Sequence, residues 1–209
     1  MNRVRIILVA IMGLLVVGDA SAVDDCLVYK MTPRVRLETP QWQKSVVQPL
    51  KPMDFLHGNV IATLIDNYDI TADVTPIEDG FCVALKAVDA TIGYNDFLVQ
   101  IDRRHRPGTC AYDAILSHED EHIRAYLSIA DDMAGDIYTA VQTAAMSVMP
   151  VFVHDELAIE SAIDELNRRL QSHPDVMLIN RQIRGAEEIK NRAVDAHDDG
   201  SRLKVCGDF

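Results

Sequence analysis

The sequence predicts an α+β fold, in which a small antiparallel sheet in the N-terminal half packs against a C-terminal bundle of about three helices. Two observations support this prediction. Before Arg106 the chain is rich in β-branched residues and turns, and after Thr109 it is rich in Ala, Leu, Ile and charged helix formers. The spacing of apolar residues also changes there, from the alternation typical of strands to the intervals of three and four typical of helices.

Residues 1–22 have the pattern of a secretory signal peptide. Two arginines precede an apolar run at 6–17, and a small-residue cleavage site, Ala-Ser-Ala, ends the segment. The run is too short to span a bilayer comfortably, which takes about 20 residues, although an uncleaved anchor is the alternative. We therefore predict a secreted or periplasmic protein without stable membrane insertion.

The rest of the chain, 23–209, is predicted to be one domain with a strand-rich part, 23–108, and a helical part, 109–209. Its apolar and charged fractions, 48% and 25% for the whole chain, argue against disorder. The net charge of −12 disfavours nucleic acid as a partner, because a phosphate-binding surface needs a basic stripe. The one local basic cluster, 103–106, is interpreted as a solvated turn; the alternative is a site that holds an acidic substrate.

Three segments of the strand-rich part are predicted to be strands. In the first, Val35 and Leu37 alternate with charged residues. The other two, 82–94 and 97–102, are interpreted as the arms of a hairpin that turns around residues 93–96. A further segment, 59–68, fits the apolar spacing of either a helix or a strand.

The helical part divides into three helices. Thr109 is the predicted N-cap of the first, whose apolar residues recur at intervals of three and four as far as Ile137. A second helix follows Pro150 and ends near residues 172–175, and a third apolar stripe runs from Val176 to Ala193. Short connections predict that these helices pack as antiparallel neighbours.

Four cysteines follow the signal segment: Cys26, Cys82, Cys110 and Cys206. An even number in an exported chain predicts two disulfides rather than free thiols. Of the three possible pairings we predict Cys82 with Cys110 and Cys26 with Cys206. These bonds would tie a strand to the start of the first helix and join the two ends of the chain.

The first helix carries the motif H-E-x-x-H at residues 118–122. Histidines four residues apart stand one turn above each other, so His118 and His122 can bind one metal ion. Glu119 leaves the helix on the flank of His122, where it can take a proton from metal-activated water. The competing interpretation is a structural pair of histidines, each satisfied by a hydrogen bond. For Tyr126, one turn further on, core packing is predicted, with an oxyanion hydrogen bond as the alternative.

A catalytic zinc site normally has three protein ligands and one open position, and the motif supplies two. A third histidine six residues after His122 is absent, because Ser128 stands there. An unbroken first helix would place residue 160 roughly 20 Å or more from His122, and a break at Gly135 would bring it closer. The third ligand stays open among four candidates: Glu160, His173, Asp175 and His197.

The motif extends to Cys110-x-Tyr-x-x-x-Leu-x-His118-Glu119-x-x-His122. Together with the export signal and the strand-rich N-terminal part, it resembles the zincin-like HExxH zinc metallopeptidases, and most nearly the bacterial family of predicted secreted zinc-dependent proteases. The specific match covers about residues 109–126. The resemblance implies that His118 and His122 bind zinc and that Glu119 is the general base.

These observations predict an exported zinc-dependent peptidase or hydrolase that acts on a peptide or protein substrate. The alternative is a non-catalytic exported protein for binding or envelope assembly, in which the two histidines are structural or hold an inert metal. Metal content and chelator-reversible activity distinguish the two predictions.

Overall fold

A computed structural model describes residues 26–49, 51, 53, 57–198 and 200–207, and the predicted signal peptide lies outside them. Five strands and three long helices in this part form an α+β fold, which confirms the predicted class in its coarse form. The strands are β1 (Arg34–Glu38), β2 (Gln43–Val47), β3 (Gly58–Ile77), β4 (Gly80–Ile101) and β5 (Val151–Val153). The helices are α1 (Cys110–Ser147), α2 (Ile159–Gln171), α3 (Pro174–Asp198) and the short α4 (Ser201–Val205).

Strand β4 is the centre of the sheet. On one edge it pairs antiparallel with β3 along its whole length, and on the other it pairs in turn with β5, β1 and β2. Because β1 and β2 run parallel to β4, the sheet is mixed rather than antiparallel throughout. Most of β4 is buried, as a strand with neighbours on both edges should be.

The hairpin predicted around residues 93–96 is wrong, because β4 continues through that segment. Thr63 of β3 is opposite Asp96 and Leu64 is opposite Tyr94, so Asn95 is the extra residue of a β-bulge. The turn between the two long strands lies instead at Glu78 and Asp79. The ambiguous segment 59–68 is strand.

One face of the sheet is covered by helices, and along β3 the other face is exposed. Along β3, Val60, Leu64 and Ile70 pack against the core, whereas residues of the opposite parity such as Thr63 and Thr71 are exposed. Helices α1 and α2 contact the sheet, and α3 lies antiparallel along α1. The H-E-x-x-H motif therefore lies between the start of β3 and the end of α3.

Helix α1 begins as predicted and is longer than a break at Gly135 would allow. The hydroxyl of Thr109 accepts a hydrogen bond from the backbone N–H of Tyr112 at 3.3 Å, which confirms the N-cap. The helix then runs 38 residues without interruption. Among the described residues, no helix is both long enough and apolar enough to cross a membrane.

Two disulfides are present, as predicted, but the predicted pairing is wrong. The bonds join Cys26 to Cys82 and Cys110 to Cys206. Cys82 lies near the start of the 22-residue β4, whereas Cys110 follows its end. A strand of this length spans up to roughly 60 Å at about 3.3 Å per residue, so Cys82 and the chain that leads to Cys110 lie at opposite ends of β4. Helix α3 runs back along α1, so the chain that follows α3 brings Cys206 to Cys110 instead.

Candidate metal centre

Helix α1 points the three motif residues into the fold. Glu119 is only 4% exposed, and the side chains of His118 and His122 are 21% and 10% exposed. The charged residues between them lie on the rim, where Asp120 pairs with Lys44 at 2.9 Å. The helix thus turns two imidazoles and one carboxyl group toward the same interior space.

Asp195 of α3 joins the two histidines. The Nε2 atoms of His118 and His122 are 3.1 Å apart, and Oδ1 of Asp195 lies 3.0 Å from Nε2 of His122 and 3.4 Å from Nε2 of His118. Ligand atoms around a tetrahedral zinc ion, at bonds of roughly 2.0 to 2.1 Å, stand about 3.3 Å from one another. The three atoms therefore have the spacing of one face of such a tetrahedron, and these residues could hold a metal ion.

Two further residues near the end of α3, Asn191 and Asp198, contact the Nδ1 atoms of the two imidazole rings. Nδ1 of His122 lies 2.7 Å from Oδ1 of Asn191, whose own Nδ2 donates to the backbone carbonyl of Glu187 at 2.8 Å. The amide oxygen therefore faces the ring, which favours a proton on Nδ1 and leaves the lone pair on Nε2. Nδ1 of His118 lies 3.1 Å from Oδ2 of Asp198, a close electrostatic contact without hydrogen-bond alignment.

The carboxyl group of Glu119 is enclosed by the start of β3. A Cβ atom added to Gly58 would lie 2.5 Å from Oε1 of Glu119, so any side chain there would displace the carboxyl group. Burial raises the pKa of Glu119 to about 7, and the nearby carboxylates of Asp195 and Asp120 add to the increase. The Glu119 carboxyl group does not belong to the triangle of atoms that could hold a metal. It is buried beside them, which is where a general base would have to lie.

A cleft of about 530 Å³ opens onto these residues. His57 and the start of β3, as far as Val60, form one wall of the cleft. The end of α3 and the short α4 form the other. Tyr126 also lines the cleft while its ring packs 5.0 Å from Tyr94, between centroids, as predicted. His118, His122 and Asp195 all line this cleft, so the triangle of atoms is open to it.

The third residue of the cluster is none of the four predicted candidates. Glu160 lies on α2, at the end of α1 remote from the motif, and His173 is 3.8 Å from Asp175 at the connection between α2 and α3. His197 lies on α3 but is exposed. Within the described residues, the cluster of three possible ligands consists of His118, His122 and Asp195.

Asp195 was missed, and local spacing gives only a partial signal for it. On α3, residues 191, 195 and 198 are spaced by four and three, and all three are polar. That spacing puts them on one face, which at about 100° per residue is rotated by roughly 90° from the apolar stripe of Val176, Ile179 and Ile183. The sequence therefore indicates a shared polar face on α3, but not that this face meets the motif on α1.

A second pair of histidines lies beside the cleft. Nδ1 of His57 is 3.0 Å from Nε2 of His105, and burial, followed by the nearby His57, lowers the pKa of His105. The basic cluster 103–106 begins with the predicted turn, and the guanidinium of Arg104 binds the buried Asp102 at 2.9 Å. This part of the chain fixes the position of His57 at the cleft.

Comparisons of the chain with protein-family models, with curated proteins and with solved structures found no match. The resemblance to the HExxH metallopeptidases therefore rests on residues 109–126 and stays a prediction.

Proposed function

We propose that this protein is an exported zinc-dependent peptidase or hydrolase, related to the HExxH metallopeptidases. The observation that carries the proposal is the triangle formed by His118, His122 and Asp195, with sides of 3.0 to 3.4 Å. Two imidazoles and one carboxylate suit zinc, and three ligands leave one position for substrate or water. The same donor set can hold ferrous iron. We prefer zinc because hydrolysis by metal-activated water needs a general base, and Glu119, the glutamate of the H-E-x-x-H motif, is buried beside the site.

Zinc, when bound, supplies Lewis acidity: it polarises a carbonyl group and makes water a better nucleophile near neutral pH. The protein supplies the other functions. His118, His122 and Asp195 would hold the ion. A carboxylate oxygen of Glu119 accepts the proton that the attacking water loses and then donates it to the leaving amine.

Export and a peptide substrate are parts of the same proposal. The signal pattern at 1–22 supports export, and so do the two disulfides, which persist in oxidising compartments. The open cleft along the start of β3 is the surface on which a peptide or protein substrate is proposed to bind.

The second candidate function is a non-catalytic exported protein for binding or envelope assembly, whose two histidines are structural or hold an inert metal. One observation favours it: the side chain of Asp195 is 64% exposed. A ligand that water can reach has less support from the fold and holds a metal more weakly.

Metal analysis of the chain lacking residues 1–22 tests the proposal. We expect about one zinc ion per chain, lost in the double variant His118→Ala/His122→Ala and weakened in Asp195→Ala. Glu119→Gln should keep the zinc and lose chelator-reversible peptidase activity. His173→Ala, a histidine outside the cleft, is the control. Full zinc retention by the double variant contradicts the metal site, and zinc without peptidase activity favours the second candidate.

A further inference from the structure

We propose that the C-terminal clasp, defined as Asp198 with residues 200–206, positions the metal centre, and that the disulfide Cys110–Cys206 couples zinc affinity to the oxidation of the chain. The inference rests on the proposed function, since it concerns the same site. It assigns to Asp198 and Arg202 a role in positioning rather than in binding the metal.

The clasp contacts the ring of a proposed ligand. The Asp198 side chain is 7% exposed, and its Oδ2 lies 3.1 Å from Nδ1 of His118. Its other oxygen accepts hydrogen bonds from the hydroxyl of Ser201 and the backbone N–H of Arg202, both at 3.2 Å. The position of the Asp198 carboxylate, and with it the charge that faces His118, therefore depends on the residues of the clasp.

Arg202 fastens the clasp to the exposed side of α1. Its guanidinium donates to the hydroxyl of Ser117 at 3.2 Å and to the carboxylate of Glu121. Ser117 immediately precedes the motif and Glu121 is one of its variable residues, and Arg202 and Leu203 also line the cleft. Displacement of the clasp would remove one wall of the cleft together with the partner of His118.

The disulfide is the covalent anchor of the clasp. Cys110 is the first residue of α1, about two turns before His118, and Cys206 follows α4. Gly200 makes the turn from α3 into the clasp with φ of 78°, a conformation that favours glycine. Without the bond, the polar contacts of Asp198 and Arg202 and the packing of Leu203 hold the clasp, and partly exposed ion pairs contribute little.

The two disulfides differ in access. Cys110 is exposed and Cys206 is half-buried, whereas Cys26 and Cys82 are 1% and 0% exposed. In exchange with a disulfide-containing oxidant, the thiols of Cys110 and Cys206 form their S–S bond, and the two electrons and two protons they lose convert the oxidant to a dithiol. Zinc affinity is therefore highest in compartments where disulfides form, and the reduced chain binds zinc more weakly.

The test compares two double variants of the chain lacking residues 1–22: Cys110→Ser/Cys206→Ser and Cys26→Ser/Cys82→Ser. Serine prevents freed thiols from binding zinc themselves. Zinc affinity is measured by competition with a chromophoric chelator, at a temperature where circular dichroism shows both variants folded. We expect the first variant to bind zinc about 10 to 100-fold more weakly, as for lost outer contacts of a metal ligand. The second should keep the wild-type affinity while its thermal unfolding temperature falls.

Arg202→Gln tests the clasp with both disulfides intact, and is decisive if a cysteine variant does not fold. We expect weaker zinc binding in Arg202→Gln and recovery in Arg202→Lys, with Arg192→Gln, an exposed arginine of α3, as the control. Wild-type zinc affinity in both Cys110→Ser/Cys206→Ser and Arg202→Gln would overturn the inference. A wild-type chain that binds no zinc would instead overturn the proposed function, so the two failures are distinct.

Discussion

Gly58 is the residue whose replacement tests the surroundings of Glu119 most directly. In Gly58→Ala the new Cβ would lie 2.5 Å from both Oε1 of Glu119 and Cγ2 of Ile115, so the carboxyl group must move. We expect retained zinc, a large loss of hydrolysis and a destabilisation of about 1 to 3 kcal/mol from overpacking. Zinc content, peptidase rate and urea unfolding measure the three effects.

Gly185→Ala is the matched control for this substitution. Gly185 lies within α3 with no atom near its added Cβ, and alanine favours the helix, so this variant should be as stable as the wild type or more so. If Gly58→Ala hydrolyses substrate at the wild-type rate, the position of Glu119 is not what limits the reaction.

Asn191 is expected to act on the metal only through His122. Replacing it with Leu removes the oxygen 2.7 Å from Nδ1, so the ring can rotate or carry its proton on Nε2, where a zinc bond would form. We expect zinc binding about 10-fold weaker or more, measured by chelator competition. Asn180→Leu, on the same helix but bonded to Asp66, should bind zinc normally. Equal affinities in the two variants would show that Asn191 does not orient the ring.

At the level of elements, the sequence was sufficient to predict helix α1 and its motif, but not the residue of α3 that contacts the motif. The N-cap at Thr109 and the apolar spacing are local signals, and local signals place residues on one face of one helix. Asp195 is 73 residues from His122. Its contact with the motif depends on the register of α3 against α1, which the packing of both helices sets and no local spacing specifies.

The strands show the same limit. Alternation identified β1, but residues typical of a turn at 93–96 belong to a bulge within β4, because β3 pairs with β4 on both sides of that bulge and keeps the strand extended there. The disulfide pairing failed for a related reason. The distance between Cys82 and Cys110 depends on the length of β4, and the predicted hairpin would have divided that strand into two shorter ones.

The connection between β4 and α1 depends on the charge of Asp102. This buried carboxylate accepts hydrogen bonds from the Arg104 guanidinium, from the backbone N–H of Arg104 and from that of Met53, and they hold its pKa well below the usual 3.8. A depressed pKa contributes stability that is present above pH about 4 and is lost as pH falls toward the folded-state value.

Asp102→Asn should therefore destabilise the protein by about 1 to 3 kcal/mol at pH 7, with a smaller effect at pH 3. Urea unfolding at both pH values measures the difference. Asp79→Asn, in the exposed turn between β3 and β4, is the control and should change stability little at either pH. A loss in Asp102→Asn that is equal at both pH values would assign the effect to packing rather than to charge.

In the molecule as a whole, the candidate site joins parts that are distant in sequence. The motif belongs to the first of the three long helices and Asp195 to the last, and the start of β3 encloses Glu119. A zinc ion held by both helices would act as a cross-link between them, present in the folded state and absent from the unfolded chain. Metal binding and global stability are therefore linked.

Zinc should accordingly raise the unfolding temperature of the whole protein. A free zinc concentration 100 times the dissociation constant adds about 2.7 kcal/mol, which corresponds to roughly 5 to 10 °C for a chain of this size. Scanning calorimetry with and without zinc measures the shift, which should vanish in His118→Ala/His122→Ala and persist in His173→Ala. A shift that survives loss of both motif histidines would place the stabilising metal elsewhere, because only an ion that binds the folded chain at this site depends on those two imidazoles.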